Sequence, residues 1–288
     1  MNGITVIIPV FNEEQSLPKT INDVNKALED LDVEKEIIVV DDGSTDRTFE
    51  LAKQSMGCLF RHYKNKGYGA SLKTGIRNAN YDIICITDAD GTYPNDRIPA
   101  LFEHMIKNNY DMVVGSRTGE KVKIPLLRRF PKWVLNKLAN YLSGTKIPDI
   151  NSGFRIMKKP EVERFFNILP DGFSFTSTIT LAMLTNGYAV SYIPINYYSR
   201  QGKSKIRPIK DTLNFFQLII RTVMYFNPLK IFVPLSLSLV LLAFLVLLGS
   251  WILTGKALDV TFGVILMTAV MVIVIGMLAD LIDKRIGE

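Results

Sequence analysis

Two uncharged stretches near the C-terminal end constrain this chain more than any other feature. Ile231–Gly255 contains no charged residue, and neither does Val260–Ala279. A helix needs about 20 apolar residues to cross a bilayer, so each stretch is long enough for one span. A buried core helix is the alternative, and uncharged runs of this length argue against it. Hydrophobic residues make up 48% of the chain, and the excess is concentrated here. Spans at about 231–253 and 260–280, joined by the short loop Lys256–Asp259, form a membrane hairpin with a short tail.

A hairpin leaves everything before and after it on one side. Arg221, Lys230, Lys284 and Arg285 flank its outer ends, whereas the loop carries Lys256 beside Asp259. The positive-inside rule then places the large N-terminal part in the cytoplasm, which in a prokaryote makes this a cell-membrane protein. The opening MNGITVIIPVFNEE has no basic leader region and a short apolar run, so it does not read as a signal peptide. Cys58 and Cys85 fit no metal-ligand spacing and are expected to be buried free thiols.

Net charge is +6, unevenly spread: residues 1–120 carry −6 and residues 121–288 carry +12. The basic half adjoins the spans, so its expected partner is anionic lipid or a lipid phosphate rather than nucleic acid. Lys121–Lys146 holds seven basic residues and no acid, interleaved with Leu126, Leu127, Phe130, Trp133, Leu135, Leu138 and Tyr141. That pattern suits an amphipathic helix lying in the membrane interface. Lys210–Phe226 looks similar and leads to Pro228 and the first span.

The N-terminal part alternates between two periodicities. Ile4–Val10, Glu36–Val40 and Ile83–Thr87 are apolar runs of buried-strand type, with shorter strands expected near Leu59 and at Met112–Gly115. Helical spacing appears from Ser16 to about Asp30, after the glycine-rich NKGYGASLKTGI to about Asn78, and over Ile98–Lys107. Asp46 is placed to cap the helix carrying Phe49, Leu51 and Ala52. This β-α alternation predicts an α/β fold: a mostly parallel sheet with helices on both faces. Ligands bind such sheets beyond the carboxyl ends of the strands. Three of these strands run out into DDGSTD, DADGTYP and GSR.

Asp88 and Asp90 flank one small residue directly after a buried strand. Two carboxylates so close repel, and a divalent cation relieves the repulsion. Mg²⁺ favours one or two carboxylates plus phosphate oxygens, so a nucleotide diphosphate could complete its shell. Asp42 has a simpler alternative as a turn cap, Gly67 and Gly69 as turn formers, and Arg155 as a structural ion-pair residue. His62 and His104 show no partner in sequence and are assigned no role.

IIPVFNEE, VVDDGSTD, the segment Asn65–Ala70, ITDADGTYP, VGSR, NSGFR and RQGKSK follow one another in the order seen in family 2 glycosyltransferases. From about Ile4 to Ile206 the chain resembles the dolichyl-phosphate mannose synthase group and its polyprenyl-phosphate relatives. The resemblance implies a GT-A-like catalytic domain over residues 1–206, with 120–146 as its basic interfacial segment. A juxtamembrane helix at 207–228 and the hairpin at 229–288 follow. It implies that Pro9, Phe11, Glu13, Val40 and Asp42 hold the nucleotide base and ribose. Asp88, Ala89 and Asp90 then hold the metal (Mg²⁺ or Mn²⁺) and diphosphate, with Arg117 facing phosphates. Arg200, Ser204 and Lys205 match a loop closing on donor and acceptor, with Ser204 on the acceptor side, and Arg128 and Arg129 match acceptor-phosphate contacts. Two departures concern mannose specificity: Thr92 replaces a glutamine metal ligand and is counted here in the metal set, and Thr176 and Thr178 stand where relatives often carry acids.

The implied reaction is inverting transfer of a UDP- or GDP-linked sugar to polyprenyl or dolichyl phosphate, for cell-envelope or protein glycosylation. Self-association through the transmembrane helices is a further expectation. One rival is an enzyme of the same fold acting on a lipid or polysaccharide hydroxyl. It would need a carboxylate base, and the Q-x-x-R-W motif of processive members is absent. The other is a non-catalytic, membrane-tethered nucleotide-sugar binding protein, against which the intact Asp88, Asp90 and Arg117 argue.

Overall fold

In the computed structural model the described residues are 3–55, 57–119, 137, 140–141, 144–172, 174–198, 228–256 and 258–286. The chain divides into two compact units, Met1–Phe215 and Phe216–Glu288.

The first unit is built on a seven-stranded sheet: β1 (Gly3–Val10), β2 (Glu34–Asp41), β3 (Cys58–Arg61), β4 (Ile83–Ile86), β5 (Met112–Ser116), β6 (Arg155–Lys158) and β7 (Val190–Pro194). The order is β3-β2-β1-β4-β6-β5-β7. Every residue of β1 is buried, which explains why it reads as an unbroken apolar run rather than an alternating one. It pairs in parallel with β2 and β4, and β7 is parallel to β5. Among the described strands only β6 is reversed, running antiparallel to both β4 and β5.

Helices cover both faces, as expected. On one face Ile4, Val6 and Ile8 share a core with Leu17, Val24 and Leu28 of α1 (Leu17–Glu29) and with Leu101 and Met105 of α4 (Ile98–Asn108). On the other, α3 (Tyr68–Asn78) lies so close to β1 that a Cβ on Gly75 would stand 2.5 Å from Ile7 Cγ2. Each fully buried Ile or Leu contributes about 1.5–3 kcal/mol. A six-residue α2 (Thr48–Lys53) follows β2; its N-cap is Arg47, which makes no side-chain cap bond. Asp46, expected as the cap, lies one residue earlier and accepts the Thr48 N–H at 3.0 Å in a turn leading into the helix. Two further helices are α5 (Lys159–Glu163) and α6 (Phe175–Thr185).

The topology aims the motifs at one edge. The carboxyl ends of β1, β2, β4 and β5 carry the segments beginning at Phe11, Asp42, Thr87 and Arg117. Because β6 is reversed, the loop 149–154 that precedes it emerges at the same edge.

The second unit holds α7 (Leu229–Thr254) and α8 (Asp259–Ile286), both long and apolar enough to cross a membrane. They pack on each other through the Ser236 hydroxyl, which donates to the Ala269 carbonyl at 2.9 Å, through Phe244 and Phe262 rings 5.3 Å apart, and where Gly276 meets Phe232. Leu237, Leu241, Leu248, Met267 and Leu278 remain exposed.

One expectation fails at the other end of the molecule. Cys58 is exposed, because β3 is the sheet's edge strand; Cys85, in the buried β4, is as expected.

Candidate active site

The D-x-D carboxylates are held individually. The Tyr68 hydroxyl donates to Asp88 Oδ1 at 2.9 Å. Thr92, expected among the metal ligands, donates from Oγ1 to Asp90 Oδ1 at 2.6 Å and from its N–H to the same oxygen at 3.1 Å. The Ala89 carbonyl between them accepts the Thr20 hydroxyl at 3.1 Å, tying the turn to α1. Gly153 supplies the wall beside Asp88. A Cβ there would stand 2.9 Å from the Tyr68 hydroxyl and 3.0 Å from Asp88 Oδ2, so the space is filled already. The Gly153 N–H donates to the Tyr93 hydroxyl at 2.8 Å, and the Tyr93 ring stacks on Phe154 at 5.6 Å. Burial first, and then the negative charge of Asp88, raise the pKa values of both Tyr68 and Tyr93, so both remain phenols at neutral pH.

Among the described residues no three His, Cys, Asp or Glu side chains gather as a metal site. The residues that could hold a cation are the carboxylates Asp88 and Asp90, each oriented by a hydroxyl. That set fits a hard divalent ion whose remaining ligands come from phosphate and water.

Arg117 directly follows β5. Its Nε and Nη2 grip Asp149 Oδ2 and Oδ1 at 2.7 and 2.9 Å, a bidentate pair, and its backbone N–H adds a bond of 3.1 Å. Asp149 also accepts the Asn151 N–H at 3.2 Å. Burial alone would lower the Arg117 pKa; its bonds to Asp149 outweigh this and hold it above the ordinary value. The guanidinium lies 5.2 Å from the Tyr197 ring centre. The result is a fixed, permanently charged cation at the site edge.

Of the residues expected to hold the donor, Pro9 and Val40 face each other in register across β1 and β2. The Glu13 N–H donates to Thr48 Oγ1 at 2.8 Å, and its carboxylate accepts the Ser16 hydroxyl at 3.2 Å. Phe11 lies between them on the loop leaving β1. Asp42 has more partners than the sequence suggests: the N–H groups of Lys66 and Gly67 at 2.9 and 2.8 Å, and His62 Nδ1 at 2.7 Å. His62 Nε2 reaches Thr74 Oγ1 of α3 at 2.9 Å, so a histidine without a visible partner in sequence bridges β2 and α3. Asp42 thus anchors the glycine-rich loop as well as ending β2.

Arg155 is fully buried, and its guanidinium is held by hydrogen bonds to neutral groups rather than by a salt bridge. Its guanidinium bonds the Ser152 and Thr176 carbonyls and the Thr180 hydroxyl, fixing the loop that carries Gly153, and burial lowers its pKa. Thr176 and Thr178 are buried within α6. Arg128, Arg129, Arg200, Ser204 and Lys205, the interfacial segment at 120–136 and the juxtamembrane segment at 207–227 lie outside the described residues. Tyr68, Tyr93 and Gly153 are the residues that sequence reasoning missed; NSGFR was the available signal for Gly153.

Comparison with known proteins agrees with this architecture. The dolichyl-phosphate hexose transferase of Haloferax volcanii is 29% identical over 208 residues, covering 72% of this chain and 88% of that protein. The dolichol-phosphate mannosyltransferase of Pyrococcus furiosus is 32% identical over 219 residues, covering 71% of this chain and 59% of that protein. A crystal structure of glucosyl-3-phosphoglycerate synthase from Mycobacterium tuberculosis, with Mn²⁺, UDP and glucosyl-3-phosphoglycerate, shares the fold. Its TM-score is 0.60 at 18% identity, over 77% of this chain and 79% of that one. The Glycosyl transferase family 2 model matches residues 5–166, more than half of the chain, and on that match this protein belongs to family 2 and is a glycosyltransferase.

Proposed function

We propose that this enzyme transfers a sugar from a UDP- or GDP-linked donor to a polyprenyl phosphate, with inversion, and that its catalytic unit faces the cytoplasm. The observation that carries the reading is the pairing of two kinds of charge at one sheet edge. An oriented carboxylate pair stands at Asp88 and Asp90, and a locked cation at Arg117. The relatives named for dolichyl phosphate and the two bilayer-length helices support the choice of a lipid phosphate.

Asp88 and Asp90 would hold Mg²⁺ or Mn²⁺, which offsets charge on the departing nucleoside diphosphate. Thr92 acts by keeping Asp90 aimed. Pro9, Phe11, Glu13 and Val40 line the base side, and Asp42 holds the loop beside them. Arg117 stabilises phosphate charge as a fixed donor that needs no reorganisation during attack. Arg128, Arg129, Arg200, Ser204 and Lys205 complete the phosphate contacts in this reading.

A phosphate acceptor brings its own nucleophile. Its second ionisation lies near pH 6, so at neutral pH no side chain has to remove a proton. An alcohol acceptor would need a positioned base, and Asp149 is held in the Arg117 ion pair. The test is a donor panel of UDP-glucose, UDP-GlcNAc and GDP-mannose against undecaprenyl and dolichyl phosphate, in detergent with Mg²⁺ or Mn²⁺. One donor should yield a polyprenyl-phosphate sugar, and Asp90→Ala or excess EDTA should abolish the product. Transfer solely to hydroxyl acceptors would overturn the reading, and no transfer at all would favour a binding protein.

A further inference from the structure

Tyr68, the first residue of α3, is held in place from several sides. Gly67, just before it, has φ 107° and ψ 160°, a conformation open essentially to glycine alone. This turn sets the chain against a second loop, where a Cβ on Gly67 would stand 2.5 Å from the Asp171 carbonyl. Gly69 meets the Pro170 carbonyl, the Ala70 N–H donates to the Asp171 carbonyl at 3.0 Å, and Lys73 Nζ pairs with Asp171 Oδ1 at 2.8 Å. From the first residue of α3, the Tyr68 hydroxyl then reaches 2.9 Å to Asp88, across a gap that Gly153 leaves by lacking a Cβ. Three separate segments therefore converge on one hydrogen bond to one oxygen of the D-x-D motif.

We propose that Tyr68 is a positioning residue for the divalent cation: by holding Asp88 it orients the carboxylate before the ion arrives and sets the ion's affinity. The proposal rests on the cation reading of Asp88 and Asp90. The physical reason is that two carboxylates one residue apart repel, and a cation-free pair relaxes by swinging one side chain away. A hydroxyl donor on Asp88 offsets part of the repulsion and removes that freedom. Partners of this outer kind are worth roughly 10-fold to 100-fold in metal affinity.

The experiment is a Mn²⁺ titration followed by electron paramagnetic resonance. It uses the full-length protein in detergent, with UDP and separately GDP present, for wild type, Tyr68→Phe and Asp90→Ala. Phenylalanine keeps the ring and removes the hydroxyl. Tyr68→Phe should bind Mn²⁺ roughly 10-fold to 100-fold more weakly, with its cation-free melting temperature falling by no more than the loss of one hydrogen bond gives. Raised Mn²⁺ should restore its turnover. Gly153→Ala, which crowds the same hydrogen bond, should weaken Mn²⁺ in the same direction. If Tyr68→Phe binds Mn²⁺ like wild type while Asp90→Ala does not, the role given to Tyr68 is wrong and the cation site stands. If Asp90→Ala also binds like wild type, the cation site itself is wrong and the proposal falls with it.

Discussion

Asp149 shows how a side chain's role depends on its partners. In sequence it is an isolated acid before NSGFR, available in principle as a base. In the fold it accepts from Arg117 N, Nε and Nη2 and from Asn151 N. If the acceptor is the proposed polyprenyl phosphate, Asp149→Asn should lower transfer by loosening Arg117, while the pH–rate profile keeps its rise near pH 6, the ionisation of that phosphate. Adding Asp149→Asn to an Arg117→Ala background should cost little more. A loss of the rise, with the 10²–10⁴-fold drop expected when a general base is removed, would mark Asp149 as that base and the acceptor as a hydroxyl. The two cysteines make a simpler case. Cys85 is fully buried and its thiol is pushed up to about 12 by burial, whereas Cys58 is exposed. A thiol reagent should titrate one group in the native protein and two after unfolding; two fast native thiols would contradict the burial of β4.

Among the elements, those buried uniformly or amphipathically were legible and those defined by their neighbours were not. β1, β2 and β4 declare themselves as apolar runs, and α1 shows one buried stripe at helical spacing. The helix α6 does not, because Phe175 to Met183 are all buried and a helix covered on every side has no periodicity to read. β6 is four residues long with a basic residue at each end, and its reversal follows from pairing with β4 and β5. The glycine-rich segment predicts a turn followed by a helix, yet α3 begins inside it at Tyr68. Gly67→Ala tests that junction. Its backbone region costs a residue with a Cβ about 1–3 kcal/mol, and the Asp171 carbonyl is already in the way. Chemical denaturation should show a loss of at least that size, with Mn²⁺ affinity falling in the same variant. A neutral substitution would mean that the loop has no fixed seat on residues 170–172.

For the molecule as a whole, the two units make different demands on solvent. The first buries its apolar side chains within a layered sheet, whereas α7 and α8 leave leucines exposed that water would penalise by about 1.5–3 kcal/mol each on full exposure. A chain cut just before Pro228 should therefore still bind nucleotide, since the motif-bearing sheet lies within Met1–Phe215. Under the proposed function it should use long-chain prenyl phosphate poorly, having lost the two membrane-length helices. Measured by isothermal titration with UDP and GDP, loss of nucleotide binding on truncation would show that the units are not separable. What the sequence by itself determined was whatever depends on composition along the chain: the membrane-length helices, the buried strands, the family motifs and the acidic pair at Asp88 and Asp90. Only the tertiary structure decided that Asp149 serves Arg117, that Tyr68 and Gly153 shape Asp88, that Asp42 anchors a loop through His62, and that Cys58 lies at an edge. The physical reason is that each of these is a contact between residues far apart in sequence. Such partnerships are settled by strand order and by the one reversed strand that brings residues 149–154 to the site, and neither leaves a local pattern along the chain.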